Sequence, residues 1–180
     1  MPADMKDSIA EAARRLIVEK RVKKLTVKDI VEECQITRQA FYYHFEDIPA
    51  LFRWTLGRNG EKLIHEALEQ QSAEEGLKYV LRVAVNVSPY IKRGIQTNYG
   101  PELRQMLFDG CYRFLEEMVL REEAARKNPN LDMKLFLRYH CHAIIGILQE
   151  WTDEDTRNMD QIAHELNRMI EGSLSAGPRS

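Results

Sequence analysis

Between residues 26 and 45 the chain gathers side chains suited to touching a nucleic acid rather than to breaking covalent bonds. Thr26 and Lys28 open one short segment; Thr37, Arg38, Gln39 and Ala40 open the next, followed by Tyr42, Tyr43 and His44. An arginine fork matches a guanine edge or a phosphate, a glutamine carboxamide matches adenine, and an alanine methyl can meet the thymine methyl. Each good base contact contributes about 1–3 kcal/mol of discrimination. Phenolic hydroxyls and an imidazole suit phosphate oxygens, which fix position rather than sequence. A threonine at the start of a helix caps it, and the free amides behind the cap attract an anion, which makes Thr26 and Lys28 candidates for phosphate contact.

Other chemistry is weakly represented. His140-Cys141-His142 has metal-ligand residue types, but neighbours on a helix point about 100° apart, so all three cannot face one ion. No GxSxG, P-loop, HExxH or glycine-rich dinucleotide fingerprint occurs, so the expectation is a protein that is not an enzyme and uses no cofactor and no metal. Cys34, Cys111 and Cys141 are odd in number, widely spaced and without a CxxC pair, as expected for reduced thiols.

Those side chains need elements to hold them. Ile9, Ala13, Leu16 and Ile17 follow i, i+4, i+7, i+8 spacing and predict a first amphipathic helix from about Asp4 to Lys20. Thr26 reads as the N-cap of a short second helix with the stripe Val27, Ile30, Val31, Cys34, and Thr37 as the cap of a third, anchored by Phe41 and Phe45. The brief connection Cys34-Gln35-Ile36 forces a sharp crossing. Asp47 caps a fourth helix to about Leu68, with Pro49 tolerated in its first turn and Ile48, Leu51 and Phe52 facing the core. Further stripes predict a helix ending before Pro89, another after Pro101, a turn at Asn128-Pro129-Asn130, and helices at about 131–151 and 156–171; Gly172–Ser180 reads as a frayed tail. No segment alternates with period two, so the fold class is all-α, with about nine helices.

The run from Thr26 to Phe45, above all Phe41-Tyr42-Tyr43-His44-Phe45, resembles the helix-turn-helix of TetR-type transcriptional regulators. The resemblance is close over residues 8–52 and weaker at Gly146-Ile147-Leu148-Gln149-Glu150-Trp151, which looks like the C-terminal domain of members related to dihydroxyacetone kinase regulators. It implies a DNA-binding domain at 1–46, a helical regulatory and dimerisation domain at 47–172 and a tail at 173–180. It further implies a homodimer, formed through the helices at 131–151 and 156–171, on a double-stranded DNA operator of inverted-repeat form. The family assigns DNA contacts to the motif positions of Thr26, Lys28, Thr37, Arg38, Gln39, Ala40, Tyr42, Tyr43 and His44. Release by a small-molecule effector is also implied, with Trp54, Tyr90, Tyr99, Phe108 and Phe114 as candidate lining residues, each equally able to serve the core. Gly57 and Gly60 are plausible bending points in the fourth helix.

Two residues depart from the family pattern. Gln35 replaces the usual turn glycine, so either a left-handed residue is strained by up to about 1–2 kcal/mol or the turn has another shape. Ile48 replaces a lysine that reaches a phosphate, so Ile48→Lys is expected to strengthen DNA binding.

Composition bounds these expectations. The 180 residues are 44% hydrophobic and 30% charged with net charge −2, an ordinary globular composition that excludes a disordered chain. The charge is uneven: residues 1–58 hold 11 basic and 9 acidic side chains, leaving 15 and 19 for the rest. Arg14, Arg15, Lys20, Arg21, Lys23, Lys24 and Lys28 form a basic cluster of the kind that contacts phosphates. With no long apolar run and no charged-then-apolar leader, no membrane association and a cytoplasmic location are expected. The remaining alternatives are a helical adaptor or co-regulator that has lost operator binding, and an activator rather than a repressor.

Overall fold

Helices begin where the sequence supplies caps. The Thr26 hydroxyl accepts from the Asp29 amide at 3.2 Å while the Asp29 carboxylate accepts from the Thr26 amide at 2.9 Å, a reciprocal capping box. Thr37 accepts from Ala40 at 3.1 Å, Asp47 from Ala50 at 2.6 Å and Asp132 from Leu135 at 3.0 Å. Thr152 and Asp155 form a second capping box. Each cap satisfies an amide that has no intrahelical acceptor, worth about 1 kcal/mol.

The computed structural model describes residues 4–122 and 131–175. Among them the chain forms nine helices and no strand: α1 (Met5–Val18), α2 (Val27–Cys34), α3 (Arg38–His44), α4 (Ile48–Leu68), α5 (Ala73–Ile95), α6 (Gly100–Arg121), α7 (Met133–Gln149), α8 (Asp153–Arg157) and α9 (Met159–Ser175). The expected turn at Asn128-Pro129-Asn130 and residues 176–180 of the expected tail lie outside the described residues; α9 takes the tail's beginning as far as Ser175.

Packing divides the chain into two compact units. The first comprises residues up to 60 together with 88–107; the second comprises 61–87 and the described residues from 108 onward. This differs from the division by sequence at residue 46, because the start of α4, the end of α5 and the start of α6 pack with the first three helices. Ile9, Ala12, Leu25, Ile30, Phe41, Ile48, Leu51 and Leu103 lie in the first unit's core. In the second, Leu77, Leu81, Leu115, Val119, Leu137, Ala163 and Leu174 are buried beside Cys141. All three cysteines are free thiols. The Cys141 sulfur beside Cys111, together with burial, raises the Cys111 thiol far above its usual range.

Helix α5 does not stop before Pro89 but runs on to Ile95. A proline inside a helix costs about 3 kcal/mol. Pro89 is exposed, and the buried side of the helix resumes beyond it with Gly94 and the partly buried Ile95, whose packing in the first unit holds the helical course. Near the C-terminus one expected helix is two, broken at Asn158, whose amide donates back to Glu154 and Asp155 at 3.1 and 3.2 Å.

At the α2–α3 connection the left-handed alternative is realised. Gln35 has φ 57° and ψ 41°, its amide donates to Glu32 at 3.3 Å, and the Ile36 amide closes onto Val31 at 3.0 Å. A glycine adopts this conformation without Cβ strain but loses more chain entropy on folding. Replacing Gln35 by glycine is therefore expected to stabilise the protein by about 0.5–1 kcal/mol, the difference between these opposing effects. Urea denaturation of both proteins checks this; an unchanged or lower midpoint contradicts it.

Candidate nucleic-acid interface

Helix α3 has seven residues, too few to persist alone in water. It is held by Phe41, which is 0% exposed, and Phe45 at its end, 4% exposed. The two rings lie 6.0 Å apart, and Trp54 of α4 meets Phe45 edge-on at 5.7 Å. With that face anchored, the opposite face is fixed toward solvent. Thr37, Arg38 and Gln39 are exposed, Ala40 is half-buried, and Tyr42 and Tyr43 are exposed. Tyr42 also braces Phe41 edge-on at 5.5 Å, and Tyr43 meets the half-buried His44 at 5.0 Å. A row of Arg38, Gln39, Tyr42 and Tyr43 at helical spacing thus presents fork, carboxamide and hydroxyl groups side by side. Thr26 and Lys28 start α2, Thr26 committed to its capping box and Lys28 exposed in a surface pair with Glu32 at 3.7 Å.

The basic cluster is largely neutralised within the protein. Arg14 bridges Glu11 at 2.7 Å and Glu19 at 3.0 Å. Glu33, at the end of α2, accepts from Arg15 at 3.0 Å and from Lys20, and those two cations hold its carboxyl below the usual range. This arrangement pins α1 to α2, which together form the scaffold for α3. Arg21, Lys23 and Lys24, in the connection between α1 and α2, are exposed and make no ion pair among the described residues. A residue that no motif marks reaches this connection: the Asn98 carboxamide oxygen accepts from the Leu25 amide at 2.8 Å.

The candidate effector residues are distributed over the two units. Trp54 and Tyr99 pack in the first unit's core, Tyr99 against Phe52 at 5.8 Å, and Arg58 lies 4.8 Å over the Trp54 ring. Tyr90 is exposed. Phe108 and Phe114 belong to the second unit, where Phe114 is buried and Phe108 stacks against exposed His142 at 4.9 Å. His140 and Cys141 are buried, and among the described residues no group of three or more His, Cys, Asp or Glu side chains could hold a metal. Burial holds the His140 imidazole below its usual pKa. No helix among the described residues is long and apolar enough to cross a membrane.

A three-helix head with an exposed polar row on a core-anchored third helix defines the helix-turn-helix class of DNA-binding regulators. The family model described as bacterial regulatory proteins, tetR family, matches residues 9–53, and a second, described as transcriptional regulator C-terminal region, matches residues 71–172. The chain belongs to the TetR family of transcriptional regulators. Comparison with curated proteins finds no match. The fold is shared with the solved dihydroxyacetone kinase operon activator DhaS, at 17% identity and TM-score 0.65 over 94% of this chain and 96% of that one. It is also shared with the fatty acid degradation regulator FadR from Bacillus halodurans, at 18% identity and TM-score 0.63 over 92% and 97%. NalD of Pseudomonas aeruginosa, the secondary repressor of the MexAB-OprM efflux pump, has 20% identity and TM-score 0.57 over 94% of each chain.

The expectation for Ile48 needs correction. Its side chain is 1% exposed in the first unit's core, so a lysine there would lose branched aliphatic packing wherever its ammonium reached. Ile48→Lys is therefore expected to lower unfolding free energy by about 2 kcal/mol. Thermal and urea unfolding check this, and a variant as stable as the parent contradicts it.

Proposed function

We propose that the protein binds an inverted-repeat DNA operator as a homodimer and acts as a repressor, released by a small-molecule effector. The observation that carries this is the row of Thr37, Arg38, Gln39, Tyr42 and Tyr43, held outward on α3 by the burial of Phe41 and Phe45. In this reading Arg38, Gln39 and Ala40 meet base edges in the major groove. Lys28, Thr37, Tyr42, Tyr43 and His44 hold the phosphates, while Thr26, whose amide and hydroxyl both donate to the Asp29 carboxylate, serves by capping α2.

In this reading the second copy packs on α7 and α9. Leu135 and Tyr139, one turn apart on α7, are 61% and 67% exposed, and Met169 of α9 is 57% exposed. Met169, Ile147, Ile162 and Leu166 also line a shallow groove of about 390 Å³. Exposed apolar side chains such as Leu135, Tyr139, Ile147 and Met169 on these two helices are what a two-fold helical interface buries. Such a dimer reads two half-sites separated by about 34–36 Å, and an effector acts by preferring one separation over another.

A mobility-shift assay with DNA flanking the protein's own gene, in excess nonspecific competitor, is expected to give a specific complex. Arg38→Ala with Tyr42→Ala should weaken it by roughly 30-fold or more at each half-site, where two contacts of at least about 1 kcal/mol each are lost. No complex, or an unaffected double variant, overturns the reading in favour of an adaptor. Sedimentation should give a dimer that Leu135→Glu with Tyr139→Glu converts to monomer; a dimer unmoved by that change contradicts the assigned interface.

A further inference from the structure

Six residues, 20–25, connect the C-cap of α1 to the cap of α2, and their backbone is fixed at several points. At one end Arg21 adopts φ 54°, with the Lys20 amide donating to Arg15 at 3.1 Å and the Val22 amide to Leu16 at 3.2 Å. At the other end stands the Thr26 and Asp29 capping box. Between them the connection is grasped from the turn joining α5 to α6, within the same compact unit. The Asn98 amide donates to the Lys23 carbonyl at 3.0 Å, the Asn98 carboxamide oxygen accepts from the Leu25 amide at 2.8 Å, and its nitrogen donates to the Leu25 carbonyl at 3.4 Å. A guanidinium nitrogen of Arg93, near the end of α5, donates to the Val18 carbonyl at 2.6 Å.

The grasping turn is itself built to hold one shape. The buried Thr97 hydroxyl donates to the Gly94 carbonyl at 2.7 Å and accepts from the Tyr99 amide at 3.2 Å. At Gly100 a Cβ would stand 2.2 Å from the Ile95 carbonyl oxygen, so only glycine fits.

What this clasp holds in place is a group of three cations without an ion pair at the DNA-binding head. Arg14, Arg15, Lys20 and Lys28 are engaged by Glu11, Glu19, Glu33 and Glu32. Arg21, Lys23 and Lys24 are exposed and make no ion pair among the described residues. They lie immediately before Thr26, on the chain leading into the capped start of α2. Ordering a residue's backbone costs about 1–2 kcal/mol; a loop already ordered does not incur that cost on contacting DNA.

We propose that the Arg21 to Lys24 connection is a phosphate-binding element and that Asn98 is the positioning residue that holds it for that contact. The inference rests on the DNA-binding reading above. It assigns to the α5–α6 turn a role in affinity that does not pass through base recognition. Phosphate contact is sequence-independent and salt-dependent, with the log–log salt slope changing by about 0.9 per contact, so these residues should move affinity and salt slope together while leaving base preference alone.

The test uses the full-length protein and the operator fragment, with affinity measured from about 50 to 200 mM salt. Lys23→Gln with Lys24→Gln, on exposed side chains, should reduce the slope by about two to four units in the dimer, whereas Arg14→Gln should leave it unchanged. Asn98→Ala should lower affinity about tenfold and reduce the slope by at least about one unit, with base preference across mutated operators preserved. Amide hydrogen exchange without DNA should show Leu25 protected in the parent and exposed to exchange in Asn98→Ala. Parent-like affinity and slope in the lysine variant overturns the proposal, as does a folded Asn98→Ala with parent-like slope and Leu25 protection. If Asn98→Ala does not fold, the lysine pair decides. A parent protein that retards no operator defeats the DNA-binding reading itself; a parent that binds beside unaffected variants defeats only this inference.

Discussion

The burial of Phe41 and Phe45 is the interaction on which the DNA-binding head depends. Helix α3 is seven residues long, and a free peptide of that length would not hold a helical conformation. Its existence and its rotation about its own axis both come from these two rings settling among Ile9, Ile30, Leu51 and Trp54. Burying a phenylalanine side chain contributes about 1.5–3 kcal/mol. Here that energy also selects which face of α3 is wet. A different rotation would bury Arg38 or Gln39 without partners, a desolvation cost with nothing to offset it.

Electrostatics refines what that face can do. A net charge of −2 for the chain and a slight excess of basic residues in its first third say little about where free cations lie. Glu33 is decisive: it engages both Arg15 and Lys20 and so converts two candidate phosphate ligands into the tie between α1 and α2. Arg14 is similarly taken up by Glu11 and Glu19. The cations left over are consecutive or nearly so in the chain, at 21, 23 and 24. In the proposed DNA-binding reading, long-range attraction then rests on the α1–α2 connection and on Arg38 of α3 rather than on the whole basic cluster.

Features governed by near neighbours were legible in the sequence. The caps at Thr26, Thr37 and Asp47, the buried stripe of α1 and the aromatic anchor of α3 follow from residues three or four apart, and each forms as the spacing dictates. Features governed by distant partners were not. Nothing around Pro89 signals that α5 survives it, because the packing that holds the helix lies in the first unit. Asn98 has no local signature either; its partners are 73 and 75 positions earlier in the chain. Ile48 shows a third limit: alignment with a family lysine suggested a surface role, while its own apolar character and spacing already placed it inside. Arg38, Gln39 and Tyr42 could be singled out because exposure on α3 is the complement of a pattern written in Phe41 and Phe45.

The two compact units are joined by the chain only inside helices: within α4 after Gly60, within α5 after Val87, and within α6 after Leu107. Each of these helices carries a residue of poor helix propensity within three positions of its crossing, namely Gly60, Pro89 and Gly110. Glycine costs about 1 kcal/mol and proline about 3 kcal/mol relative to alanine in a helix interior. Packing does not demand glycine at Gly57, Gly60 or Gly110, since a Cβ at each would meet no neighbouring atom within 4 Å. This contrasts with Gly100, where the Ile95 carbonyl leaves no room for a side chain. What the glycines in α4 and α6 supply is therefore not space but a lower energy for leaving helical dihedrals. At each of the three crossings the helical backbone is weakly held by its own sequence, whereas the Asn98 turn beyond the α5 crossing is held from several sides.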